Sequence, residues 1–175
     1  GKKEMADYHK MWEELGMDVE THDQLCEVLP QAFGDVYLSQ ENRPEGMDYY
    51  NFVVAEIHGV RPAELIEHQK KGGKVFGTFC VYVPDEVVFA ADAIATGLCG
   101  GSQFWVPGGE KVLPTNTCPL IKASVGARLD RTCPFFRIAD MYVGETTCDG
   151  KKKAWEILAE DVPVHVMDLP QMKRK

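Results

Sequence analysis

Short apolar segments alternate with helix-like segments between Lys74 and Leu169 of this 175-residue chain. The apolar segments predict strands at 74–80, 93–98, 139–146 and 162–169. The segments between them predict helices at 84–92, 118–129 and 150–160. Strands that alternate with helices in this way form a parallel sheet with right-handed crossovers. The sequence therefore predicts an α/β fold, in which residues 100–117 form the longest irregular loop.

Residues 1–73 follow a different pattern and predict a helical N-terminal segment. Apolar side chains recur at helical spacing from Met5 to Leu15, and Asp23 is a candidate N-cap for a second helix. Further helices are predicted at 47–57 and 63–69. We therefore divide the chain into a helical segment, 1–73, and an α/β domain, 74–175.

Composition limits the partners and the compartment of the chain. The net charge is −8, which argues against a nucleic-acid surface, because phosphate binding needs a basic face. No run approaches the roughly 20 apolar residues of a membrane helix, and no signal-peptide pattern is present. We expect a cytoplasmic protein without a membrane partner. Its cysteines are predicted to be free thiols, since a chain of this length needs no disulfide staples.

Cysteines cluster in the α/β part of the sequence. Five of the six lie there, at Cys80, Cys99, Cys118, Cys133 and Cys148. Cys80, Cys99 and Cys148 each follow a strand-like run. Cys118 opens a Cys-Pro pair, and Cys133 precedes a Pro-Phe-Phe triplet. Because ligands bind where the carboxyl ends of parallel strands meet, we expect most of these thiols to converge at one edge of the sheet. Their wide spacing favours an iron–sulfur cluster over a local zinc knuckle.

Three segments of the sequence are distinctive. They read LPTNTCPLIKAS at 113–124, VGETTCDGKKK at 143–153 and GTFCVYVPDE at 77–86. Together they resemble the 2-hydroxyacyl-CoA dehydratase and benzoyl-CoA reductase subunit superfamily, from about Lys74 to Gln171. Within it, Cys99 and the Cys133-Pro-Phe-Phe motif look most like the double-cubane-cluster reductases. One departure is Asp92, which follows Ala-Ala where the superfamily often has glycine.

The resemblance implies two flavodoxin-like α/β domains that share the cluster ligands, and this chain matches only the first. It implies that Cys99, Cys118, Cys133 and Cys148 ligate a double-cubane [8Fe-9S] cluster, with the remaining ligands in the second α/β domain or subunit. Cys80 would be one ligand too many, so we assign it a supporting role at its strand end, and we place Cys26 in the core.

The implied activity is that of a reductase. An ATP-hydrolysing iron–sulfur activator protein would deliver low-potential electrons, which the cluster passes to a small unsaturated substrate, and a dimer is expected. The first alternative is a [4Fe-4S] subunit of a (R)-2-hydroxyacyl-CoA dehydratase, with about three cysteine ligands of which two lie in this half. The second is a non-enzymatic, zinc-bearing structural domain.

Charged residues near these cysteines are further candidates. Cys118 and Cys148 each precede a predicted helix, whose backbone N–H groups favour a thiolate. Lys151, with its two neighbouring lysines, occupies a first helical turn, and we hypothesise that at least one of the three raises the cluster potential; the alternative is a solvated turn. Glu86 is a candidate proton donor or substrate contact, and the alternative is a favourable charge at a helix start.

Overall fold

Four parallel strands form the centre of the protein in a computed structural model. The structure describes residues 7–79, 82–98 and 100–170. The strands are β1 (Lys74–Thr78), β2 (Ala93–Gly97), β3 (Met141–Glu145) and β4 (Val164–Met167). Their spatial order is β2-β1-β3-β4 and every neighbouring pair is parallel. This is the order of the first four strands in flavodoxin-like sheets, so the predicted α/β fold is confirmed.

Helices precede the sheet and connect its strands. They are α1 (His9–Glu14), α2 (Val19–Phe33), α3 (Met47–Ala55), α4 (Val60–Lys70), α5 (Asp85–Ala90), α6 (Val106–Glu110), α7 (Pro119–Leu129), α8 (Pro134–Ile138) and α9 (Asp149–Leu158). A π-helical turn (Gly34–Leu38) extends α2, and a 3₁₀ turn (Gln103–Trp105) precedes α6. The first four helices confirm the predicted helical N-terminal segment.

The two faces of the sheet carry different helices. Val88 of α5 packs with Val143 of β3 on one face. On the other face Leu98, Phe136 and Trp155 belong to the main core, which also takes in Leu65 of α4. The alternation arises because α5 connects β1 to β2 in one direction along the sheet, whereas α9 connects β3 to β4 in the other.

Hydrogen bonds tie the N-terminal helices to the sheet domain. Gln69 of α4 donates from Nε2 to the carbonyl oxygen of Ile138 at 2.8 Å. Arg137 donates from Nε to the carbonyl oxygen of Leu15 at 2.8 Å. These bonds and the shared core place α1 and α4 against α8. No helix in the described part of the chain is both long and apolar enough to cross a membrane.

Two local predictions were wrong, and one short helix was not predicted. The second helix begins at Val19 and is capped by Asp18, which accepts the N–H of Thr21 at 3.1 Å, so Asp23 lies inside the helix. The predicted loop 100–117 contains a 3₁₀ turn and α6, because its glycines let it pack tightly on α7. The Pro-Phe-Phe triplet forms α8, a helix that its short length hid from periodicity.

Candidate metal centre

The carboxyl edge of the sheet contains a topological switch point between β1 and β3. These strands are neighbours, but their crossovers leave in opposite directions, through α5 and α9. Crevices of this kind are where open α/β sheets bind ligands. Helix α9 begins at this edge, since it follows β3 directly. We therefore took this edge as the candidate site.

Cys148 is the N-cap residue of α9 and is exposed. Its Sγ accepts the backbone N–H of Lys151 at 3.4 Å. The N-terminus of a helix is electropositive, because its first N–H groups have no partner within the helix. The sulfur of Cys148 therefore faces N–H donors, and its exposure leaves it accessible to a metal.

Cys118 holds the equivalent position on α7. It is the N-cap residue, is exposed, and is followed by Pro119 in the first helical turn. The turn that precedes Cys118 lies next to the start of α9. A Cβ added to Gly150, in the first turn of α9, would lie 3.6 Å from Thr117 Cγ2 and 4.0 Å from Cys148 Sγ. The two thiols therefore cap neighbouring helices at the same edge of the sheet.

Lys122 fixes the loop that leads to Cys118. Its side chain is buried, and Nζ donates to Glu110 Oε1 and to the carbonyl oxygen of Thr115, both at 2.6 Å. Lys122 also donates its backbone N–H to the carbonyl oxygen of Cys118. The sequence analysis missed this residue, although a lysine among the apolar positions of α7 is a signal that it has a buried partner.

Glu145 and Lys151 form a buried ion pair next to Cys148. The side chain of Glu145 is fully buried at the end of β3, and its Oε1 accepts a hydrogen bond from Lys151 Nζ. Its Oε2 accepts the N–H of Thr147 at 2.9 Å. Burial raises the pKa of Glu145, but the hydrogen bonds from Lys151 and Thr147 outweigh it, so the pKa lies below its usual value. Sequence reasoning did not single out Glu145.

The three consecutive lysines of α9 have different partners. Lys151 binds Glu145 and also donates to Thr147 Oγ1 at 3.1 Å. Lys152 Nζ lies 3.4 Å from Asp149 Oδ1, and Lys153 Nζ lies 2.7 Å from Glu156 Oε2. Each ammonium therefore has a carboxylate beside it, and Lys151 differs from the other two because only 13% of its side chain is exposed.

Glu86 lies in the first turn of α5, two residues after Pro84, and is exposed. Helix α5 starts after β1, so Glu86 is at the carboxyl edge. Its acidic neighbour Asp85 shares that turn. This placement suits the favourable charge of a helix start. A catalytic role for Glu86 stays a prediction.

Cys133 is at the other end of α7. It is buried and caps α8, and it belongs to the core with Leu65 and Tyr142. Helix α7 has 11 residues and so separates Cys133 from Cys118 by about 16 Å. Burial raises the pKa of the Cys133 thiol to about 11, although backbone N–H groups of α8 oppose the shift. The structure does not bring Cys133 together with Cys118, and its ligation stays a prediction.

Cys80 and Cys99 lie outside the described residues, so the predictions for them remain open. Their neighbours Phe79 and Leu98 continue the sheet at its carboxyl edge, where Phe79 donates its N–H to Val143 and Leu98 donates to Thr78. Cys26 is half-buried on α2, with Sγ 3.7 Å from the ring nitrogens of His22. It lies among the N-terminal helices and outside the buried core clusters, so the prediction that Cys26 is a core residue was wrong.

The residues at the edge fit a thiolate-bound metal in chemistry. Exposed thiols beside helix N–H donors are the kind of ligand that an iron–sulfur cluster uses. Within 7–79, 82–98 and 100–170, no group of three or more His, Cys, Asp or Glu side chains is arranged to hold a metal ion. A complete ligand set therefore needs thiols beyond the described pair.

Comparison with known proteins identifies the family. Residues 80–175 match the family described as 2-hydroxyglutaryl-CoA dehydratase, D-component. The match covers more than half of the chain. The chain belongs to this D-component family. A relative from Escherichia coli (strain K12), named "Putative dehydratase subunit YjiM", is 46% identical over 106 residues, or 61% of this chain. The match spans 28% of that relative's length.

The family assignment confirms the resemblance drawn from the three sequence segments. All of 113–124 and 143–153 lies within the region matched to the D-component family, as do Cys118 and Cys148. The helical segment 7–73 lies outside that region. The candidate site therefore belongs to the part of the chain that the D-component family shares, and helices α1–α4 are an addition to it.

Proposed function

We propose that this chain is the cluster-binding part of an iron–sulfur reductase subunit related to the dehydratases. The observation that carries the proposal is the pair of exposed thiols, Cys118 and Cys148, at the N-termini of α7 and α9 in a D-component sequence. Cys99 follows the strand-end residue Leu98 and is the third proposed ligand. In its double-cubane form the site would hold an [8Fe-9S] cluster, completed by cysteines of a second α/β domain or subunit.

The chain's own residues would prepare the site in three ways. Backbone N–H groups at the two helix starts stabilise thiolates, as the Lys151 N–H does for Cys148. Lys122 fixes the turn that carries Cys118. Glu145 holds Lys151 in place at the start of α9. When bound, the cluster would supply transfer of single electrons at low potential.

Electrons of low potential need a donor, and we propose an ATP-hydrolysing iron–sulfur activator protein in that role. The proposal rests on the resemblance stated for the sequence. Membership of a dehydratase D-component family indicates that further subunits or domains take part, and the Escherichia coli relative is likewise named a subunit. A small unsaturated molecule or a thioester is the proposed class of substrate.

One observation favours a second candidate, a [4Fe-4S] subunit of a 2-hydroxyacyl-CoA dehydratase. Two exposed thiols, Cys118 and Cys148, cap α7 and α9, and Cys133 is buried at the other end of α7. Two ligands in this half of the protein are what a single cubane with about three cysteine ligands would require. A double cubane would need Cys133 to leave the core or to be replaced by another thiol.

Iron and sulfide analysis of the longest natural form, purified without oxygen, tests the proposal. About eight irons per chain, with matching acid-labile sulfide and a broad visible absorption, would establish the double cubane. About four irons would establish the single-cubane candidate. A colourless protein that contains zinc and no iron would contradict both and support a structural metal domain.

A further inference from the structure

Helix α3 has an unusual surface. Its sequence, MDYYNFVVA, is apolar around most of its circumference, yet none of its nine residues is buried. A helix that is apolar on all sides normally lies inside a protein or under a partner. In this chain Tyr49 is 68% exposed and Phe52 is 55% exposed. The helix therefore has the composition of a covered element and the accessibility of a surface one.

The exposed apolar surface extends beyond α3. Residues 28–57 contain eleven of the seventeen large apolar side chains that are exposed in the described part of the chain. They include Val36 on the π-helical turn and Ile57 after α3. If half of each large side chain exposes roughly 100 Å², these eleven side chains together present about 1,000 Å² of apolar surface. A standard protein–protein interface takes about 800 Å² from each partner, so this area is enough for a stable interface.

Charge is also concentrated in this region. Residues 18–57, which we call the helical arm, contain nine acidic residues and one arginine, a net charge of −8. The whole chain has 27 acidic and 19 basic residues, so the rest of it has 18 of each and is neutral. All of the chain's net charge therefore lies on the arm that carries its exposed apolar surface.

We propose that the helical arm is a docking surface for another protein chain, whose contact face is apolar at the centre and rich in lysine and arginine at the rim. Apolar burial would supply the affinity, and the opposite charges would fix the partner and speed the encounter. The proposal is independent of the cluster, since the arm lies outside the region that matches the D-component family.

Charge argues against two other occupants of the arm. A second copy that docked arm to arm would place two surfaces of net charge −8 against each other, which costs affinity. An anionic membrane would be repelled for the same reason. A partner with a basic rim meets neither objection.

A basic amphipathic peptide tests this chemistry directly. The probe is a helical peptide of about 20 residues with leucine on one face and lysine on the other. We expect it to bind the chain in isothermal calorimetry, and to bind at least about tenfold more weakly at roughly 0.5 M salt than at roughly 0.05 M. A peptide in which glutamate replaces lysine should not bind.

Two variants locate the binding site. Phe52→Asp places a charge on the arm and should weaken binding of the basic peptide at least about tenfold. Phe89→Asp alters a residue of similar exposure, 62%, on α5 outside the arm, and should bind like the wild type. Both sites are exposed, so circular dichroism should show folded proteins. Equal binding to the Phe52→Asp and wild-type chains, or equal binding of the acidic peptide, would overturn the proposal. Self-association of the free chain that Phe52→Asp abolishes would overturn it in favour of a second copy.

Discussion

Each exposed thiol at the candidate site has a largely buried lysine about one helical turn after it. Lys122 follows Cys118 on α7, and Lys151 follows Cys148 on α9. Both ammonium groups are paired with carboxylates, of Glu110 and Glu145 respectively. Their positive charge is therefore largely balanced locally. That at least one of the three lysines raises the cluster potential stays a prediction, and for Lys151 we infer that its charge acts first on Glu145.

The Glu145–Lys151 pair leads to a stability prediction. The Lys151→Met change would leave the fully buried Glu145 carboxylate without its cation, which should lower the free energy of unfolding by about 3 kcal/mol near neutral pH. Lys152→Met removes a half-exposed lysine with an exposed partner and should leave stability close to that of the wild type. Urea unfolding monitored by tryptophan fluorescence measures both. A Lys151→Met protein as stable as Lys152→Met would show that the pair contributes nothing.

Buried histidines make stability depend on pH. His58 lies against His22, with Nδ1 2.8 Å from His22 Nε2, and burial lowers the pKa of His58 to about 3. The unfolded chain has a histidine pKa of about 6.5. Because the unfolded state then binds the proton first, stability is highest above pH 6.5 and falls as the pH drops toward 3, by about 1.4 kcal/mol per unit.

The pH dependence can be assigned with one variant. Between about pH 6.5 and about pH 4.5, the unfolding free energy of His58→Gln should decrease less steeply than that of the wild type. The difference in slope should correspond to one proton, or about 1.4 kcal/mol per pH unit. His165→Gln, at an exposed position on β4, is the matched control and should keep the wild-type dependence. Parallel curves for wild type and His58→Gln would show that His58 titrates as a free side chain.

At the scale of elements, the position of Cys118 depends on how closely the segment 103–110 packs on α7. Gly126 in α7 faces the carbonyl oxygen of Trp105 so closely that a Cβ could not be placed there. The obstacle is backbone, which cannot rotate away. Glycine at this position therefore allows the 3₁₀ turn and α6 to lie directly on the helix that Cys118 caps.

Gly126→Ala should force these elements apart and cost about 3 kcal/mol in thermal or urea unfolding. Gly101→Ala, at an exposed position where a Cβ meets nothing within 4 Å, is the control and should remain close to the wild type. If Gly126→Ala were as stable as Gly101→Ala, the close contact between Trp105 and α7 would not exist in solution.

Sequence patterns were sufficient to predict the elements that are long or that begin at a strong helix-start signal. The four strands, α7 and α9 were predicted close to their observed positions because apolar periodicity and Cys-Pro or Cys-Asp starts mark them. Helices α6 and α8 were missed because five residues span little more than one turn and show no periodicity.

The sequence was enough to predict where the site lies, but not which side chains surround the thiols there. Strand ends predicted where Cys148 lies, because parallel strands share a carboxyl edge. The partners of Lys122 and Lys151 could not be predicted, since Glu110 and Glu145 become neighbours only through the packing of α6, α7 and β3. The distance between Cys133 and Cys118 could not be predicted either, since it depends on the direction in which α7 runs.

At the scale of the whole molecule, two surfaces differ in composition, and we propose separate roles for them. The sheet domain matches the D-component family and carries the exposed thiols at its carboxyl edge. The helical arm lies outside that match and carries the net charge and most of the exposed apolar side chains of the described residues. Such a division is expected of a subunit that binds its cofactor with one part and a partner with another.

The cofactor claim rests on two thiols, and iron content measures it most directly. The wild-type chain, the double variant Cys118→Ser/Cys148→Ser and the control Cys26→Ser should be reconstituted with iron and sulfide under the same anaerobic conditions. We predict that wild type and Cys26→Ser bind iron and sulfide with a broad visible absorption, and that the double variant loses most of both. Circular dichroism should show that all three chains are folded. Iron content in the double variant equal to that of the control would contradict the account, because the cluster would then be held elsewhere.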